Sequence, residues 1–187
     1  LVPCYASPII VGGLKTADPL DSAVAAFWAD KVAFIAATWS GGHVDAESRP
    51  NAFVGFLIKA DCEGEPGPGD YNRTELVGGN AMADALSGVG AVCIWRAFAH
   101  PPAWSDQAVW QFNLFKGWNE PNATRPNLAL QVKSGPFDFQ VREPPHSLFS
   151  GLSNVNLVVE LEATQEYVGQ AKHVVNLAQQ WVWYADF

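Results

Sequence analysis

Cations are scarce in this chain: 11 lysines and arginines stand against 19 aspartates and glutamates in 187 residues, a net charge of -8. No basic run interrupts that balance, so the chain offers no counter-charged face to a phosphate backbone and nucleic acid is not an expected partner. No stretch approaches the roughly 18 consecutive apolar residues of a spanning helix, and no basic segment leads into an apolar one at the N-terminus. A membrane partner is therefore not expected either. The three cysteines, Cys4, Cys62 and Cys93, lack zinc-site spacing, and an odd number cannot close a full disulfide framework. They read as packing residues. GxGxxG, P-loop, GxSxG and HExxH patterns are all missing, and His43, His100, His146 and His173 show no ligand spacing. The expectation is no metal, no cofactor and structural histidines. The only methionine is Met82 and the chain opens on "LVPCYASPII", which reads as a piece of something longer.

What is present is a foldable core. Hydrophobic residues make up 49% of the sequence, ample for one domain. Eight tryptophans suit core filling first and sugar stacking second. Asn72-Arg73-Thr74 and Asn122-Ala123-Thr124 are glycosylation sequons, of use if the chain is secreted. Apolar, β-branched or aromatic runs at "VGFLIKA" (54–60), "AVCIWRAF" (91–98), "LALQVKS" (128–134) and "NLVVELEA" (156–163) read as buried strands. Amphipathic stretches follow three of them: "NAMADAL", "SDQAVWQFNLF" with Ala108, Phe112 and Phe115 on one face, and "GQAKHVVNLAQQW". "GPFDFQVREPPHSLFSG", after the third run, reads as loop. Upstream, Asp18-Pro19 starts a helix striped by Val24, Phe27, Trp28, Val32 and Ile35, "VPCYAS" reads as one more strand, and residues 38–52 form an atypical loop. The strand starts fall roughly 30 to 37 residues apart, the length of a βαβ unit, so an α/β fold with a parallel sheet is expected.

In such folds ligands bind beyond the carboxyl ends of the strands, which singles out the polar residues there. The first strand ends Lys59-Ala60-Asp61-Cys62-Glu63, the second carries Arg96, the third ends at Lys133 and then reaches Asp138, and the fourth ends at Glu166. Alternation puts Leu57, Lys59 and Asp61 on one strand face, Ile94, Arg96 and Phe98 on another, and Ala129, Gln131 and Lys133 on a third. Two readings stay open. The cations could pair with Asp61 and its neighbours as a buried ion network, or form a clamp in which Arg grips an anionic substrate group as a fork and Lys as a point charge. Glu63 and Glu65 in a Gly/Pro loop read first as solvated turn residues. A pair of carboxylates is also the minimum apparatus for glycosidic hydrolysis, one protonated and one ionised, and neighbouring acids push their pKa values apart.

Several blocks of sequence, "GGLKTADPLD", "GFLIKADCEGEPGPGDYNRT", "WRAF", "LQVKSGPFDFQVREP" and "ATQEYVGQAKH", resemble in order the α-glucuronidases of glycoside hydrolase family 67. The resemblance implies a (β/α)8 TIM barrel, of which residues 1–187 would be a single partial catalytic domain of about four or five βα units, since a whole barrel takes about 250 residues. It implies inverting, cofactor-free and metal-free release of glucuronic acid or its 4-O-methyl ether from the terminal non-reducing xylose of glucuronoxylan-derived oligosaccharides. By motif, Glu63 matches the general acid, Asp138 and Glu166 the pair that activates water, and Lys59, Arg96 and Lys133 the cations that bind the uronic carboxylate. A secreted enzyme is expected, and a homodimer of the full-length protein stays open. The rivals are an inactive truncated piece and a non-catalytic glucuronoxylan-binding module.

Overall fold

The computed structural model describes residues 25–26, 29–30, 33–34, 55–59, 67–98, 106–140, 143–162 and 177–186. The expected strand at "VPCYAS", the loop at 38–52, Cys4, Cys62, His43, His100 and His173 lie outside them. All four expected strands are present within the described residues: β1 (Gly55–Ile58), β2 (Val92–Arg96), β3 (Leu128–Lys133) and β4 (Asn156–Glu160). They form one sheet in the order β1-β2-β3-β4. β1 and β2 run parallel with Gly55 opposite Val92 and Ile58 opposite Trp95. Cys93 N–H donates to the Asn127 carbonyl and Ala97 N–H to that of Gln131, each at 2.8 Å. Both pairs advance four residues in the same direction, as a parallel ladder requires. Four parallel strands with intervening helices make an α/β arrangement.

The chain gathers into two compact units, Leu1–Trp95 with Thr124–Ala129, and Arg96–Ala123 with Leu130–Phe187. In the first, α1 (Glu75–Ser87) begins where the Thr74 hydroxyl accepts the Val77 N–H at 3.4 Å, one of the donors a helix start leaves unpaired. The sequence pattern predicts this helix only from Asn80, because Gly78 and Gly79 weaken its first turns. Gly78 is there for space: a Cβ would run into Pro68 and come within 2.9 Å of the Trp95 ring. Trp95 in turn donates its indole N–H to the buried Glu75 carboxylate at 2.6 Å. Asn127 ties the ends together, donating to the carbonyls of Ala83 at 2.8 Å and Ala91 at 3.0 Å. Residues 25–26, 29–30 and 33–34 are helical and exposed. Cys93 is buried and free, its thiol pushed up to about 12 by burial, which fits a packing role.

In the second unit α2 (Gln107–Phe115) starts at Asp106, whose carboxylate accepts the Val109 N–H at 2.9 Å. Phe115 is buried and Trp118, in the 3-10 turn that follows, packs against it edge-on at 5.5 Å. The loop expected over 135–151 is mostly that, but it closes in one helical turn, α3 (Leu148–Gly151). The cause is His146: its Nδ1 accepts the Leu148 N–H at 3.1 Å, as a capping side chain would. Its Nε2 bonds the buried Gln111 Oε1 at 3.0 Å, and Gln111 donates onward to the Pro136 carbonyl. His146 is thus structural, as expected. The last helix, α4 (Leu177–Asp186), lies within the expected "GQAKHVVNLAQQW" segment at its start and continues past it.

Candidate functional site

The alternation read from the sequence holds on β2 and β3. Arg96 and Phe98 project with Gln131 and Lys133, and all four belong to the second unit. A guanidinium and an ammonium inside apolar strands need counter-charges. Arg96 finds one in Glu160, at the end of β4, as a fork: Nε donates to Oε2 at 2.8 Å and Nη2 to Oε1 at 2.6 Å. Gln131 Nε2 donates to the same Oε2 at 2.6 Å. Burial alone would raise the Glu160 pKa, but the Arg96 hydrogen bonds and charge, with help from Gln131 and Lys133, hold it below the ordinary glutamate value.

Lys133 is 3% exposed. Its ammonium sits over the Phe98 ring, 3.2 Å from the centroid, lies 5.0 Å from that of Phe139, and pairs with the Asp138 carboxylate. Cation–π attraction offsets part of the lost hydration. Burial pushes the Lys133 pKa down and the Arg96 charge adds to that, while Asp138 and Glu160 oppose it. Two cations thus sit close enough to repel, in surroundings that make each charge costly.

Asp138 and Phe139 carry φ values of 95° and 61°. Both are left-handed conformations that a side chain disfavours, and such strain collects at functional positions. The turn is held from behind by Glu143, whose Oε2 accepts the Phe137 N–H at 2.7 Å. Burial raises the pKa of Glu143 against the pull of those backbone donors. The Tyr184 hydroxyl, on α4, donates to the Glu143 carbonyl at 2.8 Å.

Of the residues singled out in the sequence, Arg96, Lys133 and Asp138 are brought together here. Lys59 is half-buried just past β1 in the first unit. Glu63, Glu166 and Asp61 lie outside the described residues. Arg96 and Lys133 are each paired with a carboxylate, Glu160 and Asp138; the expected pairing with Asp61 and its neighbours lies outside the described residues. Glu160 and Glu143 escaped the sequence reading. The signal for Glu160 was available, since alternation from Asn156 puts Val158 and Glu160 on one face. Glu143 sits in a loop of no periodicity, and only the fold reveals its role.

The model of the glycosyl hydrolase family 67 middle domain matches residues 1–187. Among curated proteins, the chain is similar to the probable alpha-glucuronidase A of Aspergillus flavus, 39% identical over 189 residues, which cover 98% of this chain and 21% of that protein. The proteins of the same name from Aspergillus terreus, 40% identical over 191 residues, and Aspergillus niger, 40% over 189, are covered to the same 98% and 21%. The chain spans about one fifth of the length of these relatives. A match along its whole length and four parallel strands in βα order agree: the chain belongs to glycosyl hydrolase family 67, as its middle domain.

Proposed function

We propose that the full-length protein is an inverting xylan α-glucuronidase, and that this chain supplies its uronate clamp and catalytic carboxylates within a (β/α)8 barrel. The observation that carries the reading is the placement of Arg96 and Lys133 in one unit beside Asp138, in a chain whose relatives are named alpha-glucuronidases. A uronic acid differs from a neutral hexose by a carboxylate. Arg96, whose Nε and Nη2 already grip Glu160, and Lys133 supply two positive charges, and a bound anion would relieve the repulsion between them. Lys59 matches, by family motif, a further residue that binds the uronate.

Hydrolysis with inversion needs an acid on one side of the sugar and a base on the other, separated by roughly 6.5–9.5 Å so that water fits between base and anomeric carbon. Glu63 donates its proton to the leaving xylose oxygen. Asp138 and Glu166 orient and deprotonate the water, which attacks from the opposite face. The strained turn at Asp138 suits a carboxylate whose direction matters more than its local stability.

The test is to incubate the full-length protein with a xylooligosaccharide bearing 4-O-methylglucuronic acid on its non-reducing xylose and follow the anomeric protons by NMR. The uronic acid is expected to appear first as the β-anomer, and Glu63→Gln to abolish release while retaining binding. Binding without release in the wild type would mark a glucuronoxylan-binding module, and first appearance of the α-anomer would rule out inversion.

A further inference from the structure

The turn that carries Asp138 does not hold its shape through its own sequence. Asp138 and Phe139 are both left-handed without being glycine. What closes the turn is a side chain from beyond it. The Glu143 stem lies flat on Gly135, where a Cβ would collide with its Cγ, Cδ and Oε1. Its head accepts the Phe137 N–H at 2.7 Å. Its own N–H returns to the Gln140 carbonyl at 3.3 Å, and its carbonyl is held by Tyr184.

We propose that Glu143 is a positioning residue that folds the Asp138 turn around its carboxylate and so aims Asp138 at its place beside Lys133. The side chain suits this because an acceptor oxygen on a two-methylene stem reaches the Phe137 N–H. The arrangement is expensive. Glu143 is 5% exposed and its Oε1 has no hydrogen-bond partner, whereas apolar packing in the same place would avoid the desolvation. Apolar packing could not accept the Phe137 N–H.

The experiment compares wild type, Glu143→Asp, Glu143→Ala and Glu143→Gln in the full-length protein by amide hydrogen exchange. Asp keeps the charge but shortens the reach by one methylene, and Gln keeps the length and one acceptor oxygen. Exchange over 136–140 is expected to quicken at least roughly tenfold in the Asp and Ala variants, with β3 unchanged, and to return close to the wild-type rate in Gln. Wild-type exchange in Asp and Ala, or a Gln variant no better than Ala, overturns the proposal. A second readout rests on the function proposed for Asp138: kcat on the uronoxylooligosaccharide falls roughly 100-fold in Asp and Ala with KM nearly constant, and Gln restores it. A wild type without activity would overturn the enzymatic reading, while the exchange data would still decide the role of Glu143.

Discussion

Arg96 and Glu160 meet as two forks across 64 residues of sequence, with both side chains only 19% exposed. Removing one partner of such a pair strands the other, at a cost on the order of 3 kcal/mol. Glu160→Gln keeps the shape and deletes the charge, so urea unfolding of the full-length protein at neutral pH should show a loss of about that size. The Glu160 pKa is depressed on folding, so its contribution is complete above the unfolded value near 4.5 and is lost as pH falls through the lower, folded value. The wild type should surrender this increment in acid, while Glu160→Gln has none to surrender.

His146 makes a second acid-sensitive element, at higher pH. With Nδ1 accepting from Leu148, the Nε2 proton goes to Gln111, and the ring is held neutral. Burial lowers its pKa from 6.5 to about 4. A depressed folded pKa means that the stability it confers is full above 6.5 and drains away as pH falls toward about 4, by up to ~3 kcal/mol. His146→Gln should flatten the stability profile in that window, read from urea midpoints at pH 7 and pH 4.5. An unchanged slope would show that the imidazole does not govern it.

Gly78→Ala tests the packing of α1. A helix interior ordinarily gains from alanine, but here the added methyl meets Pro68 and the Trp95 ring. The expected outcome is a loss of about 1–3 kcal/mol, with a lower melting temperature. A gain would mean that the helix can shift away from β2 at no cost.

These residues also show what the sequence could disclose. The four strands were legible because apolar runs and charge-bearing alternation are local properties, whereas the capping roles of Thr74 and Asp106 were not read from the sequence. The first turns of α1 were hidden by Gly78 and Gly79, and Gly78 makes room for a ring contributed by a strand 17 residues later. For Arg96 and Lys133, pattern dictated that counter-charges exist but not which. That choice depends on the parallel register that brings the end of β4 to Arg96 and on the turn that folds Asp138 back onto Lys133. Glu143 was beyond reach altogether, since its value lies in backbone N–H groups that a sequence does not display.

The central claim is that Arg96 and Lys133 read a carboxylate on a sugar. Its most direct test is calorimetry on the full-length Glu63→Gln protein with a 4-O-methylglucuronic acid xylooligosaccharide and with the methyl ester of the same ligand. A charge-assisted clamp predicts tighter binding of the free acid by roughly 100-fold, a preference that Lys133→Met or Arg96→Gln largely erases. Equal affinity for acid and ester, or a preference that survives both substitutions, would contradict it.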